Sequence, residues 1–97
     1  MATYISLISF TDQGIRNVKQ SPERAQAFQD MAEKAGARVK AIYWTLGNHD
    51  IVAITEVPDD ETAMALLLTT GSLGNVRTQT LKGFSIEEMA PILAKLP

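Results

Sequence analysis

The sequence predicts an α+β fold built on one four-stranded sheet. Stretches rich in β-branched and aromatic residues alternate with stretches of helical apolar spacing, in the order strand, helix, strand, strand, helix, strand. A length of 97 residues leaves room for a single core. A hydrophobic share of 45% beside 21% charged residues is typical of a folded chain, since disordered chains carry more charge. We therefore expect one domain over residues 1–97.

Four strands are expected, at residues 3–10, 39–46, 51–57 and 76–82. The first three are rich in β-branched or aromatic residues, and the fourth alternates between polar and apolar positions. Gly47 and Asn48 separate the second strand from the third, and both tolerate the positive φ angles of tight turns. These two strands are therefore predicted to form a hairpin with a two- or four-residue loop.

The first long helix has a clear start and stop in the sequence. Ser21 is the expected N-cap, Pro22 the first helical residue, and Gly36 the residue that ends the helix. A helical turn before it is expected to tuck Ile15 and Val18 under the domain. The expected buried stripe of the long helix consists of Ala25, Phe28, Ala32 and Ala35, with Met31 beside it.

Two further helices are predicted from their caps. Asp59 or Asp60 can cap a helix that ends before Gly71, and its expected inner face consists of Ala63, Leu66, Leu67 and Thr70. Ser85 and Glu88 have the spacing of a capping box for a C-terminal helix, which Pro91 should bend or interrupt. The order βαββαβ with a C-terminal helix is the ferredoxin-like arrangement.

Apolar residues are expected on both faces of the sheet. One face would carry Ile42, Trp44, Leu46, Ile51, Ala53 and Val57, and the other Val39, Ala41, Tyr43, Val52 and Ile54. Two helices in this topology cover only one face, and an uncovered apolar face is usually an interaction surface. We therefore expect a homodimer or a higher homo-oligomer in which two sheets pack face to face as a dimeric α+β barrel.

Composition excludes several function classes. The absence of cysteine removes disulfides, thiolate metal sites and cysteine nucleophiles, and a single histidine cannot build a multi-histidine metal site within one chain. The net charge of −2 means that the chain lacks the excess of positive charge that is typical of nucleic-acid-binding proteins. The longest apolar run, residues 63–68, is far shorter than a membrane span, and no secretory signal follows Met1. A soluble, cytoplasmic protein is expected, with no nucleic-acid or membrane partner.

His49 and Asp50 are the candidate catalytic residues. Histidine is the side chain that exchanges protons most readily near neutral pH, so His49 is the natural general base or ligand. Its alternative role is that of an exposed turn residue that caps local backbone. Asp50 would serve as a base or orient His49, although adjacent strand residues point to opposite faces. Its alternative is an Asx-type turn.

Four other residues are candidates for ligand binding. Tyr43 and Trp44 would supply the apolar wall of a cavity, with packing in the core or in a dimer interface as the alternative. Arg16 and Arg77 would bind an anionic substituent. For Arg16 the alternative is a solvated helix surface, and for Arg77 the ordinary polarity of an edge strand.

Three stretches together resemble the GYD-domain family of small bacterial and archaeal proteins. They read FTDQGIRNVK at residues 10–19, YWTLGNHD at residues 43–50 and GSLGNVRT at residues 71–78. The resemblance runs over residues 3–84. The family's Gly-Tyr-Asp signature would lie at the hairpin, where Gly47 and Asp50 match it and His49 takes the place of the tyrosine. The resemblance implies a dimeric α+β barrel and supplies no reaction.

The leading functional hypothesis is a small-ligand-binding protein with a cavity walled by the sheet and the helices. One form of it is a cofactor-independent enzyme that acts on a small aromatic or carbonyl compound, with His49 as general base. The alternative is a non-catalytic ligand-sensing or oligomeric assembly module. No cofactor is expected, and haem or a metal bound through His49 is a further option.

Overall fold

The elements of a computed structural model, which describes residues 1–97, follow the predicted order. The strands are β1 (Ala2–Phe10), β2 (Arg38–Trp44), β3 (Ile51–Val57) and β4 (Val76–Gly83). The helices are α1 (Asp12–Arg16), α2 (Ser21–Lys34), α3 (Asp60–Ser72) and α4 (Ile86–Leu93), with a 3₁₀ turn at Val18–Gln20 between α1 and α2. The βαββαβ order with a C-terminal helix is therefore confirmed.

The strands form one antiparallel sheet in the order β2-β3-β1-β4. In the middle of the sheet Ser6 pairs with Ala53 on one side and with Thr80 on the other, and Ile42 extends the row by pairing with Ala53. This strand order, with both crossover helices on one side, is the ferredoxin-like fold that the sequence predicts.

Helices α2 and α3 pack on one face of the sheet and form a small core. The core consists of Tyr4, Ala32, Ala37, Val57, Ala63 and Leu66. Three of these six are alanines, so the side chains fill little of the space between the helices and the sheet. Ala63 and Leu66 are buried on α3 as predicted, and Phe28 and Met31 of α2 pack at the edge of the cluster.

The opposite face of the sheet has an apolar centre and no helix on it. Its apolar residues are Ile5, Leu7, Ala41, Tyr43, Val52, Ile54 and Leu81, and by register the polar residues on this face are Gln79 beside them and Thr3, Ser9, Arg38, Glu56 and Arg77 towards its ends. Tyr43 is 63% exposed and Leu81 45% exposed. The sequence predicts that the helices cover only one face of the sheet and leave apolar residues on the other, and this is confirmed.

Strand β2 contains a bulge that changes the predicted facing of one residue. Val39 pairs with Thr55 and Ala41 with Ile54, so Lys40 is an extra residue between the two pairs. Val39 therefore packs against the core on the helix side, and its predicted place on the open face is wrong. The strand also ends at Trp44, which leaves Leu46 fully exposed in the loop.

The hairpin between β2 and β3 closes as expected. The Thr45 amide donates to the Asp50 carbonyl at 2.9 Å, which leaves a four-residue loop between them. Gly47 has φ of +116° in that loop, a conformation that other residues rarely adopt.

Three predictions about the α1–α2 region are wrong. Ser21 is the first residue of α2, not its N-cap, and no side chain caps this helix. Ile15 and Val18 are exposed, because the short helical segment lies at the surface. Ala35 is also exposed, because α2 ends at Lys34 and Ala35 lies in its C-cap.

Helix α4 begins with the predicted capping box. The Glu88 amide donates to Ser85 Oγ at 3.1 Å, and the Ser85 amide donates to Glu88 Oε1 at 2.9 Å. Pro91 lies inside the helix, which ends two residues later at Leu93. No residue of α4 is buried. No helix of the chain has the length and apolar character needed to cross a membrane.

Candidate functional site

The main cavity lies between α2, α3 and the helix side of the sheet. Its volume is about 210 Å³, and 11 of its 17 lining residues are hydrophobic. Its apolar walls include Ile8, Ile51, Phe28, Met31 and Leu67. A second void of about 20 Å³ shares Ser6, Phe28 and Leu67 with it. The space between helices and sheet is therefore incompletely filled over much of its length.

Small side chains account for this space. Ala25 and Ala27 of α2 and Ala53 of β3 all line the cavity. An alanine reaches only one carbon beyond the backbone, so the facing helix and strand leave a gap that larger residues would fill. Leu73 and Ala27, which line this space, are exposed, so the cavity opens to solvent, and an accessible apolar cavity with a few polar groups is a candidate ligand site.

The polar groups of the cavity are mainly hydroxyls. Ser6 and Ser21 are both buried, and Thr70 and Thr78 also line the wall. Ser6 Oγ and Thr80 Oγ1 share a hydrogen bond of 2.9 Å across β1 and β4. The Trp44 indole donates to Ser21 Oγ at 3.0 Å. These pairs fix the hydroxyls in position on both sides of the cavity.

Arg24 is the one charged residue that lines the cavity. Its guanidinium donates to the Asn17 carbonyl at 3.0 Å and to the Gly14 carbonyl at 3.4 Å. These bonds tie α2 to the preceding short helical segment. They use two of the five N–H groups of the guanidinium, so Arg24 retains capacity for a further acceptor.

None of the residues predicted to form the site lines this cavity. Trp44 lies on the helix side of the sheet, 47% exposed, and reaches the site only through Ser21. Tyr43 lies on the open face. Arg16 and Arg77 are exposed at the surface. The structure therefore does not bring these residues together.

Asp50 holds strands together where β1 ends. Its carboxylate accepts from the Phe10 amide at 2.8 Å, and its own amide donates to the Ile8 carbonyl at 2.8 Å. The His49 carbonyl accepts from Thr45 Oγ1 at 2.6 Å. His49 Nδ1 is buried without a hydrogen-bond partner. No group of three potential metal-ligating side chains occurs in the chain.

The three family-like motifs meet at this same end of the sheet. The Thr11 hydroxyl donates to the Gly74 carbonyl at 2.6 Å, and the Thr11 amide donates to the Asn75 carbonyl at 3.1 Å. Gln13 also donates to Asn75 Oδ1 at 2.9 Å. A Cβ on Gly14 would lie 1.9 Å from the Asn75 carbonyl oxygen. The motif residues therefore lock α1 onto the start of β4, beside the cavity.

A second polar cluster lies at the start of α3. The Tyr4 hydroxyl donates to the Asp60 carboxylate, and Lys82 Nζ lies 3.1 Å from the same oxygen. The hydrogen bond to Asp60, together with burial, raises the pKa of Tyr4 to about 12. The same hydrogen bond, helped by Lys82, lowers the pKa of Asp60.

Ser6, Ser21 and Arg24 are cavity residues that sequence reasoning missed. Ser6 shares its strand face with Tyr4 and Ile8, so its hydroxyl is a polar group among larger inward-facing side chains, a pattern the alternation of the strand makes readable. The proline that follows Ser21 favours a capping role for the serine, so the sequence does not indicate that Ser21 lines the cavity. Arg24 carries no signal, since a single arginine in the first turns of a helix is common at solvated surfaces.

The chain matches the GYD domain over residues 4–93. A protein from Thermus thermophilus named glutamine synthetase and cystathionine beta-lyase binding protein is 33% identical over 90 residues, which cover 92% of this chain and 95% of that protein. The crystal structure of TTHA0845, also from Thermus thermophilus, aligns with a TM-score of 0.57 at 26% identity, over 88% of this chain and 95% of that one. The chain therefore belongs to the GYD-domain family, as its three motifs indicate.

Proposed function

We propose that this protein binds a small molecule in the cavity between its helices and its sheet. The observation that carries the proposal is a space of about 210 Å³ with mostly apolar walls and a few fixed hydroxyls. Ligand sites commonly combine hydrophobic walls with a small number of placed polar groups, which supply affinity and orientation respectively.

Binding without catalysis is favoured by the residues at the cavity. No carboxylate or imidazole lines it, so no general base faces a bound molecule. A catalytic role for His49 and Asp50 is the competing hypothesis, and the hydrogen bond from Phe10 already engages the Asp50 carboxylate. His49→Ala separates the two hypotheses: a role for His49 at the ligand predicts lost turnover or weaker binding, whereas binding in the cavity alone predicts unchanged binding, because His49 does not line it.

The cavity is tested by filling it. We expect wild-type protein to bind benzyl alcohol, a neutral single-ring probe, in a calorimetric or NMR titration. Ala25→Leu should weaken that binding by about tenfold or more while keeping or raising thermal stability, because the added side chain fills existing space. Ala65→Leu on the exposed side of α3 is the matched control and should bind the probe as wild type does. Equal binding by both variants would place the probe elsewhere and end the proposal.

We further propose that the protein forms a homodimer through the open face of the sheet. Seven apolar residues lie on that face, and no helix of the chain covers them. The molecule is flat, with extents of 51 × 31 × 19 Å, so the outline of its broad side is large enough for the roughly 800 Å² per partner that a stable interface buries.

A second candidate function is the binding of another protein. The 33% identical relative is named as a binding protein for two enzymes, which supports a protein partner here. The end of β2 exposes Trp44 on the helix side of the sheet and Leu46 in the loop that follows, and exposed aromatic residues are frequent at the centres of interfaces. Immobilised protein should then retain purified glutamine synthetase or cystathionine β-lyase, and Leu46→Asp should release it. Leu68→Asp on α3 is the control, and failure of both enzymes to bind the wild type would remove this candidate.

A further inference from the structure

The hydroxyls of the cavity have more hydrogen-bond donors than the chain uses. Ser21 Oγ accepts from Trp44, and its own hydroxyl hydrogen has no acceptor in the chain. Ser6 and Thr80 share one hydrogen bond, which occupies only one of their two hydroxyl hydrogens. Thr78 makes no side-chain hydrogen bond. A ligand that presents acceptor oxygens would therefore accept hydroxyl hydrogens that the chain leaves unused.

The charge at the cavity selects against cationic ligands. The lining residues include no aspartate or glutamate, and Arg24 is their only ionised side chain. A buried ammonium group would have no counter-charge there and would lie near a guanidinium, which is unfavourable. Carboxylate groups, in contrast, pair well with a guanidinium that retains free N–H donors.

Ser21 and Arg24 lie three residues apart in the first turns of α2, so their side chains are neighbours on the helix surface. No side chain caps the N-terminus of this helix, whose dipole also favours negative charge nearby. Arg24 lies at the end of the cavity near Asn75, because its guanidinium donates to the Gly14 carbonyl and the Cβ position of Gly14 lies against the Asn75 carbonyl. The apolar walls formed by Phe28, Leu67 and Met31 lie farther along the helices.

The volume of the cavity fits about one ring. A cavity of about 150 Å³ is known to hold benzene, and drug-sized ligands usually occupy roughly 300 Å³ or more. The space of about 210 Å³ lies between these values and leaves room for a ring with one small substituent.

We infer that the ligand is a small aromatic carboxylate, with its ring against the apolar walls and its carboxylate at the Ser21–Arg24 end. This inference rests on the proposed function of the cavity as a ligand site. It adds the sign of the ligand's charge and the residues that recognise it.

Three probes of one shape and different charge test the inference: benzoate, benzyl alcohol and benzylamine, titrated at neutral pH and low salt. Benzoate should bind at least about tenfold more tightly than benzylamine, and more tightly than benzyl alcohol. Arg24→Gln should weaken benzoate binding about tenfold and leave benzyl alcohol binding within about twofold. The unchanged binding of the neutral probe also shows that the variant keeps its cavity. Lys34→Gln removes the same charge from the exposed end of α2 and should alter neither.

The outcomes separate this inference from the function beneath it. Binding of benzyl alcohol that Ala25→Leu blocks would show that the cavity is a ligand site. The carboxylate inference is wrong if benzoate then binds no more tightly than benzyl alcohol, or if Arg24→Gln does not lower the affinity for benzoate. If no probe binds, both fail. If benzoate binding falls in Arg24→Gln and also in Ala25→Leu, both stand.

Discussion

Gly14 is the glycine at which the fold has least room for an added side chain. Its Cβ position lies 1.9 Å from the Asn75 carbonyl oxygen, which also accepts the Thr11 amide. Gly14→Ala must therefore move α1 away from β4. We expect the free energy of unfolding in urea to fall by about 1–3 kcal/mol, the usual penalty for overpacking.

Gly71 is the matched control, because it lies in α3 with no atom within 4 Å of its Cβ position. Gly71→Ala should raise the free energy of unfolding by roughly 0.5–1 kcal/mol, since alanine is the better helix former. A destabilisation of equal size in both variants would show that close contact with Asn75 is not the reason for glycine at position 14.

Tyr4 gives the stability a predictable dependence on alkaline pH. Its pKa is raised from 10.0 to about 12 in the folded protein, so the folded state holds the hydroxyl proton more tightly than the unfolded state does. The resulting stabilisation is fully present below pH 10 and is lost as the pH rises towards 12. The free energy of unfolding should fall over that window in the wild type.

Tyr4→Phe tests this dependence, because it removes the titrating hydroxyl and keeps the ring. The stability difference between wild type and variant should shrink as the pH rises from 10 to 12. It should also shrink in acid, since the lowered pKa of Asp60 contributes stability that is lost as the carboxylate is protonated. The control is Tyr43→Phe, which removes the hydroxyl of the other tyrosine, on the open face, and leaves the Tyr4–Asp60 hydrogen bond in place. A constant difference between wild type and Tyr4→Phe would contradict the assignment.

At the scale of elements, the sequence predicts existence and order better than placement. The helical spacing of α3, the Asp59 and Ser85 caps and the hairpin glycine each depend on neighbours in the chain, and each is confirmed. The bulge at Lys40 is different, because nothing in the local sequence marks an extra residue in a regular alternation. It shifts Val39 to the other face, an effect that depends on pairing with β3 and so is invisible to strand periodicity.

The same reason explains why the predicted site residues do not line the cavity. Asp50 and His49 stand out chemically, but the role of Asp50 as an acceptor for Phe10 depends on two strands meeting. The cavity arises from alanines on separate elements, Ala25 of α2 and Ala53 of β3, whose proximity only the fold creates. Composition indicates a small core and cannot say where its gaps lie.

The contact between β2 and α2 provides an optical probe of the cavity. Trp44 is the only tryptophan, and its indole donates to Ser21 Oγ, on the cavity wall. A ligand that accepts from the Ser21 hydroxyl changes the surroundings of the indole. We expect benzoate to alter the fluorescence of Trp44 with the same midpoint as in calorimetry, and Ser21→Ala to reduce the amplitude. A fluorescence change that persists in Ala25→Leu would not come from the cavity.

At the scale of the whole molecule, one copy of the chain leaves the apolar residues of the open sheet face uncovered, and this uncovered face predicts a homodimer. Ile54 lies on the open face, paired with Ile5 and Ala41 of the neighbouring strands. We expect the wild type to sediment at twice the chain mass at micromolar concentration. Ile54→Lys should give monomer, because a face-to-face dimer would bury two unpaired charges near its centre, one from each copy. Met64→Lys adds the same charge to the exposed surface of α3, on the side of the sheet that the helices cover, and should remain dimeric. A monomeric wild type, or equal dissociation in both variants, would mean that the open face is not the dimer interface.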